Sequence, residues 1–198
     1  MYSRHKRHFF GLFSTPRNEW QSIRDEKNDL VQLSLTRLIF FAAIPAVSFL
    51  IGLSYVGWSF TGAEFNIIAM NSAFLMAVVF YGLIIAATLL MAYFTFITER
   101  SVAEEASFER CLMFVAYTAT PMFLAGLIGF IPIVWLCILV LVVAIHYSLY
   151  LLYIGIPIYM DIPEGKSFMI VTTIITAGLC MMLCFVIAVL IIMNMIAA

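Results

Sequence analysis

The chain has 198 residues, of which 65% are hydrophobic and 11% are charged, and its net charge is −1. Its mean hydropathy of +1.09 lies far outside the range of soluble globular domains. These values exclude a soluble globular protein and indicate an integral membrane protein. The apolar runs are too long and alternate too poorly for barrel strands, so the spans are expected to be helices.

The chain begins with a basic segment that predicts a short helix ahead of the membrane domain. Its sequence from residue 9 to residue 27 is FFGLFSTPRNEWQSIRDEK. Thr15 can cap a helix that has Pro16 at its first position. Trp20 and Ile23 then share one helix face. With phenylalanines before it and arginines interspersed, this segment predicts an interfacial helix on the cytoplasmic leaflet, and a tail packed against its own bundle is the alternative.

Five apolar runs follow, each long enough to cross a bilayer as a helix. They are Leu38 to Phe60, Ile67 to Ile97, Leu112 to Ile131, Ile133 to Ile154 and Phe168 to Ala198. We therefore expect an all-α fold, a polytopic membrane protein with a bundle of five transmembrane helices at 38–198. The cytoplasmic N-terminal segment at 1–37 carries the short interfacial helix.

The connection after the second span is unusually rich in glutamate. Its sequence is TERSVAEEASFER, residues 98 to 110, with acids at Glu99, Glu104, Glu105 and Glu109. Exposed charges of this kind are usually solvated, so we expect a solvated loop. The like charges Glu105 and Glu109 lie four residues apart, and a basic partner or the nearby arginines would offset their repulsion.

The fourth span contains the one titratable acid or base group that the sequence places deep in the bilayer, His146. Tyr150 and Tyr153 fall four and seven residues later, on the same helix face. Ionisable groups inside a membrane are candidate proton relays or substrate ligands. A neutral histidine that shares a hydrogen bond with a neighbouring helix is the structural alternative. We therefore treat these three residues as a candidate intramembrane polar site.

The stretch YIGIPIYMDIPEGKSF, residues 153 to 168, separates the fourth and fifth spans. Gly165-Lys166-Ser167 has the letters of a phosphate-binding loop, but the first glycine of that motif is absent and a membrane span follows. We expect Pro157 to end the fourth helix, a type I turn at 162–165 and Ser167 as the cap of the fifth helix. The segment is interpreted as a cytoplasmic hinge.

The four cysteines, Cys111, Cys137, Cys180 and Cys184, fall within or at the edge of the spans, so disulfides are not expected. Cys180 and Cys184 share a helix face, with two methionines between them, which is a soft-ligand pattern that copper(I) favours. Packing or lipid-facing thiols explain the same pattern without a metal. We assign no metal and no cofactor.

The positions of the basic residues predict the orientation of the chain. Seven of the ten lysines and arginines precede the first span, and the others are Arg100, Arg110 and Lys166. All of them fall on one side of a five-span bundle, which the positive-inside rule assigns to the cytoplasm. The connections near 61–66 and 131–132, together with the C-terminus, are expected on the external side.

Two stretches resemble the Yip-type membrane domain family, whose name refers to proteins that interact with Rab GTPases. They are EASFERCLMFVAYTATPMFLAGLIGFIP, residues 105–132, and SLYLLYIGIPIYMDIPEGKSF, residues 148–168. The pattern comprises Tyr-x-x-x-Pro, a proline turn, a leucine-tyrosine stretch, Gly-x-Pro and Pro-Glu-x-Lys, and Pro16 and Trp20 also fit. The resemblance implies five spans with the N-terminus inside. The short N-terminal segment is similar to the bacterial inner-membrane branch, whereas the eukaryotic members have longer cytosolic regions and are associated with Rab-type GTPases and vesicle traffic.

Two functional hypotheses remain, and neither is enzymatic, because a nucleophile beside a base and an intramembrane carboxylate pair are both missing from the pattern. The first is an integral scaffold or adaptor that organises membrane or recruits a membrane or cytoplasmic protein, with no nucleic acid among its partners. Its candidate partner surface comprises Pro163, Glu164, Lys166, Glu104, Glu105 and Glu109. The alternative is a small transporter or lipid-handling protein, in which Pro45 and Pro121 break helices around a path near His146.

Overall fold

A computed structural model of the protein describes residues 12, 15–25, 30–101, 106–162 and 164–197. Side chains are described for these residues except 30–34, 37, 164–166 and 192–197. The helices are α1 (Pro16–Asp25), α2 (Leu30–Ile51), α3 (Met70–Arg100), α4 (Phe108–Thr118), α5 (Thr120–Ala125), α6 (Val134–Tyr159) and α7 (Glu164–Ala197). A π-helical turn, Gly52–Val56, follows α2, and a 3-10 turn, Gly126–Phe130, follows α5.

Within this described part, five helical stretches are long and apolar enough to cross a membrane, which confirms the predicted bundle. They are Leu38–Val56, Met70–Arg100, Phe108–Phe130, Val134–Tyr159 and Ser167–Ile191. The first helix of the chain, α1, begins at Pro16 as the sequence predicts, and the Thr15 carbonyl accepts a hydrogen bond from the Glu19 N–H at 3.1 Å.

The fourth span is longer than predicted. Pro157 lies inside α6, which continues to Tyr159, so the expectation that Pro157 ends this helix is wrong. A proline removes only its own N–H from the helix. The last turn is held by packing instead, because Ile156 is completely buried and Tyr159 is only 1% exposed.

The third span is a broken helix. Ala119 separates α4 from α5, and Pro121 lies at the start of α5, where its missing N–H cannot continue the hydrogen bonds of α4. The Thr118 and Thr120 hydroxyls donate to the carbonyls of Phe114 and Ala116, both at 3.1 Å. The third span therefore keeps its local hydrogen bonds while the helix is interrupted.

The first and third spans approach each other closely through glycine and proline. A Cβ atom at Gly126 would lie 2.4 Å from Cβ of Pro45, and a Cβ atom at Gly129 would lie 3.0 Å from the Phe49 nitrogen. The Ser48 hydroxyl donates to the Gly126 carbonyl at 2.5 Å. Small residues allow backbones to approach in this way, so these glycines fix the contact between the two spans.

The connections near 61–66 and 131–132, which the sequence predicts on one side of the bundle, belong to segments 57–69 and 131–134 that pair with each other at one end. The Ser59 N–H donates to the Pro132 carbonyl at 3.0 Å, and the Val134 N–H donates to the Ser59 carbonyl at 2.9 Å. Trp58 and Asn66 form a further antiparallel bridge.

The opposite end of the bundle carries α1, the C-terminus of α3, the start of α4 and the connection after Tyr159. We call it the basic end. The larger hydrophobic core extends into it, with Trp20, Phe114 and Ile156 completely buried. Which side of the membrane the basic end faces stays a prediction from the basic residues.

Candidate functional site

The basic end is organised around Trp20 of α1, which is completely buried. The Trp20 ring centroid lies 5.0 Å from that of Phe114 and 5.7 Å from that of Tyr159. Phe114 and Tyr159 in turn stack at 5.6 Å. Tilted and offset arrangements of this kind are the favourable ones for aromatic pairs. The ring cluster therefore joins α1, α4 and α6 into one packed unit.

Gly155 of α6 is the position at which α1 comes closest. A Cβ atom at Gly155 would lie 2.6 Å from Cε2 of Phe114 and 2.8 Å from Cε2 of Trp20. Any larger side chain would displace both rings, so glycine is required for this approach. The sequence motif Gly-x-Pro near the end of the fourth span thus has a packing explanation.

The sequence left two alternatives for α1, an interfacial helix and a segment packed against its own bundle. The inner face of α1 packs against the bundle, because both Trp20 and Ile23 are buried. The outer face of α1 carries the exposed residues Arg17, Gln21 and Ser22. The helix is therefore amphipathic, with the apolar face of Trp20 and Ile23 directed at protein.

Arg24 connects α1 to the connection after α6. Its Nη1 donates to the Ile158 carbonyl at 3.0 Å and lies 3.3 Å from the Asp161 carboxylate. Both side chains of the ion pair are well exposed, so the pair itself contributes little stability. Asp161 has a φ of 55°, a left-handed conformation that aspartate tolerates better than most residues. The chain reversal between α6 and α7 therefore depends on Asp161 more than the sequence indicated.

Glu99 contradicts the prediction of a solvated glutamate loop at its own position, whereas Glu109 is exposed and Glu104 and Glu105 lie outside the described residues. Glu99 lies in the last turn of α3, and its side chain is completely buried. The Arg110 Nη2 donates to one carboxylate oxygen at 2.6 Å, and the Cys111 thiol donates to the other at 2.9 Å. A buried carboxylate is costly unless it is paired. The bonds from Arg110 and Cys111 therefore allow Glu99 to lie buried against α4.

Arg110 also extends the network to the connection after α6, because its Nη2 lies 3.4 Å from the Met160 carbonyl. Glu99, Arg110 and Met160 thus join three segments that are distant in sequence. Three buried atoms beside them, Trp20 Nε1, Arg110 Nε and the Tyr159 hydroxyl, have no hydrogen-bond partner within the described residues. Unsatisfied buried donors are uncommon in folded proteins, so their concentration at the basic end marks it as unusual.

The hinge differs from the predicted cap. The helix α7 begins at Glu164, so Gly165 and Ser167 are helical, and Ser167 is buried in the first turn instead of capping the helix. The Ser167 cap is therefore wrong, because the helix starts three residues earlier. The predicted type I turn at 162–165 includes Pro163, which lies outside the described residues.

The candidate partner surface is described only in part. Pro163, Glu104 and Glu105 lie outside the described residues, as do the side chains of Glu164 and Lys166. Glu109 is exposed in the first turn of α4, next to the buried Arg110 network. Glu164 begins α7, directly after the connection that belongs to the basic end.

The candidate intramembrane polar site faces outward from the bundle. His146, Tyr150 and Tyr153 are all exposed on α6, and the His146 Nδ1 lies 2.8 Å from the Val142 carbonyl of its own helix. The structural alternative of a hydrogen bond to a neighbouring helix is therefore replaced by one within α6. Cys180 and Cys184 are likewise exposed on α7.

Sequence reasoning missed the Glu99 network and the role of Gly155. One signal was available: an acid and an arginine stand at the facing ends of two consecutive apolar helices, Glu99 and Arg110, where charges are costly unless paired. Nothing in the local pattern identified Cys111 as their partner.

Comparisons with known proteins agree with this architecture. The Yip1 domain matches residues 10–193. The inner membrane protein YohC of Escherichia coli (strain K12) is 37% identical over 163 residues, covering 81% of this chain and 84% of YohC. YohC of Escherichia coli O6:H1 (strain CFT073) matches over the same lengths with the same identity. No solved structure matches the chain.

The match therefore includes α1, the five spans and the residues of the basic end. Together with the five apolar helices, it confirms the resemblance seen in the sequence. The chain is a multi-pass membrane protein that belongs to the Yip1 domain family.

Proposed function

We propose that this protein is a scaffold of a bacterial inner membrane, whose basic end forms a rigid cytoplasmic platform that recruits a protein partner. The observation that carries the proposal is the convergence of α1, the α3–α4 junction and the α6–α7 connection. Trp20, Arg24 and Arg110 each contact an element other than their own.

Rigidity is the property that a docking platform needs, because a preformed surface loses less conformational entropy when a partner binds. The aromatic cluster around Trp20 supplies most of that rigidity by burying large rings. The Glu99–Arg110 pair favours one packing of α3 against α4. Any packing that separated the two side chains would leave the buried Glu99 carboxylate without its partner, which is strongly unfavourable.

One argument supports the cytoplasmic side and another supports the membrane. The topology predicted from the sequence places all basic residues on the side of the basic end, which the positive-inside rule assigns to the cytoplasm. The YohC relatives are inner membrane proteins by name, which supports the same membrane for this chain. The proposal assigns no catalytic step to the site.

The exposed rim of the platform has charges of both signs. Arg17 on α1 is exposed, as are Glu109 on α4 and Asp161 in the connection after α6. Pro163, Glu164 and Lys166 follow Asp161 in the sequence, and the proposal includes them in the partner surface. A partner with a mixed, polar contact surface fits such a rim better than a purely acidic or purely basic one.

Site-directed photo-cross-linking in intact membranes tests the proposal. A photoreactive residue at Gln21, exposed on the outer face of α1, should give reproducible cross-links to a cytoplasmic protein. The same residue at Ala63, exposed at the opposite end of the bundle, is the control and should not give them. Equal cross-linking at both positions, or none at Gln21, would contradict the platform.

A double variant tests whether the hinge chemistry takes part. Glu164→Gln combined with Lys166→Arg removes one negative charge and keeps one positive charge, but replaces the compact ammonium of lysine with the planar guanidinium of arginine. We expect normal insertion and loss of the Gln21 cross-links. An unchanged cross-linking pattern would show that the hinge only reverses the chain.

A further inference from the structure

We propose that a half-open cavity between the spans binds one acyl chain of a membrane phospholipid. The cavity has a volume of about 420 Å³ and lies among all five spans. Its lining includes Pro45, Met91, Phe123, Leu152 and Met182. This volume is within the range of about 300–1,000 Å³ that is typical of small-molecule sites.

The cavity follows from the interruption of the third span. Ala119, the residue between α4 and α5, lies on the cavity wall together with Gly126. Small residues on the facing helices, Ala87 on α3 and Gly178 on α7, leave the space between these elements unfilled by side chains. The cavity therefore results from the break in the third span and from the small residues that face it.

The chemistry of the lining selects hydrocarbon. The two threonine hydroxyls of the wall are already bonded within their own helices, from Thr88 to the Ile84 carbonyl at 2.9 Å and from Thr118 to the Phe114 carbonyl at 3.1 Å. They therefore present methyl groups rather than free donors. An apolar wall gains dispersion contacts from a chain of methylene groups, whereas a polar ligand would lose its hydration there.

The Ser148 hydroxyl is the exception. It is buried, it lines the cavity, and it has no hydrogen-bond partner in the described part of the chain. Ser148 lies near the middle of α6, about 15–20 Å from either helix end at about 1.5 Å per residue. Phospholipid head groups do not reach that depth, so Ser148 is not expected to select the ligand.

The source of the ligand is the bilayer itself. The helix α7 packs mainly against α3 and less against α6. Its outward face carries exposed apolar residues such as Leu183 and Ile187, which contact lipid directly in a membrane. Because α7 packs less against α6 than against α3, the proposal places the entry of the acyl chain at the α6–α7 seam.

Acyl-chain photolabelling tests the proposal. The full chain is reconstituted into vesicles of phosphatidylethanolamine and phosphatidylglycerol that contain a phospholipid with a diazirine midway along one acyl chain. Peptide mass spectrometry then compares adducts on Met182, which lines the cavity, with adducts on Leu183, which faces outward. We expect both residues to be labelled in the wild type. Labelling of Leu183 alone would overturn the proposal.

A matched pair of variants makes the test specific. Gly178→Leu fills the cavity, because a Cβ atom there meets only the flexible end of Met91 at 3.3 Å. We expect the Met182 adduct to fall about tenfold relative to Leu183, which corresponds to about 1.4 kcal/mol of binding free energy. Gly82→Leu adds the same side chain where no atom lies within 4 Å, and should leave the ratio unchanged. Equal ratios in the two variants would overturn the proposal.

Two further variants cover the remaining outcomes. Ala87→Leu fills the cavity from α3, so it replaces Gly178→Leu if that variant does not fold, with the same expected fall. Ser148→Ala should leave the Met182 adduct unchanged, as should Ser54→Ala, whose hydroxyl bonds the Leu50 carbonyl outside the cavity. A fall in Ser148→Ala alone would show a ligand with an acceptor group at this depth and would overturn the acyl-chain assignment.

Discussion

Glu99 and Arg110 form a partly buried ion pair at 2.6 Å, across the connection between two transmembrane helices. The carboxylate is completely buried, whereas the arginine side chain is 34% exposed. The pair holds the start of α4 against the end of α3. It also presents the thiol of Cys111 with an acceptor, so the first turn of the third span is fixed by three side chains.

Arg110→Ala is expected to destabilise the protein more than Glu99→Gln. The Arg110→Ala variant leaves the buried Glu99 carboxylate without its cationic partner. Breaking a fully buried pair costs about 3–5 kcal/mol, and we expect a loss at the low end of this range because Arg110 is partly exposed. Thermal unfolding in detergent measures both. Glu99→Gln combined with Arg110→Met should recover much of the loss, and a double variant as unstable as Arg110→Ala would contradict the pairing argument.

Gly155→Ala is expected to displace α1. The added methyl group would lie well inside contact distance of the Phe114 and Trp20 rings, so overpacking should cost about 1–3 kcal/mol. Trypsin cleavage at Arg17 and Arg24 reports the displacement as faster proteolysis. The control is Gly82→Ala, an exposed helix position with open space around it, which should leave cleavage unchanged. Equal cleavage of both variants would show that α1 does not depend on this contact.

Asp161 is expected to contribute to stability through its backbone conformation and not through its charge. Asp161→Asn keeps a residue that tolerates the left-handed conformation and removes only an exposed ion pair, so its effect should be under about 1 kcal/mol. Asp161→Val should cost about 1–2 kcal/mol, because a β-branched residue is strained at φ 55°. Thermal unfolding compares the two. A larger loss in Asp161→Asn would instead assign the role to the Arg24 contact.

His146 is expected to be dispensable for folding. It faces outward and bonds its own helix, so His146→Leu should leave abundance unchanged or raise it, since an apolar side chain suits a lipid-facing position. His146→Gln should behave like the wild type in membrane abundance and in any phenotype of a deletion strain. Loss of function in His146→Gln with normal insertion would assign a proton or ligand role to the polar site.

The orientation is expected to place the basic end in the cytoplasm. Reporter fusions at Lys27, Glu104 and Glu164 should read cytoplasmic, because the topology predicted from the sequence places all basic residues on that side. Fusions at Gly62, Pro132 and Ala198 should read external. An external signal at Glu164 would contradict the five-span topology.

Composition and periodicity determined the class, the number of spans and the start of α1. These properties depend on local features: a run of about 20 apolar residues is sufficient to cross a bilayer, and a proline after a capping residue is sufficient to start a helix. The family resemblance was equally visible, because it rests on residue types at fixed spacings such as Tyr117-x-x-x-Pro121. The alternation of spans predicted that the connections near 61–66 and 131–132 share one end of the bundle, but not that they pair through hydrogen bonds.

The tertiary structure alone decided which charges are buried and which polar residues face outward. Glu99 and Glu109 look alike in the sequence, yet Glu99 is completely buried and Glu109 is exposed, because the facing Arg110 pairs with Glu99. His146 looked buried because hydropathy measures depth in the membrane and not which helix face meets protein. The intramembrane cavity and the Trp20–Gly155 contact likewise depend on how separate helices approach one another, a property that no local pattern contains.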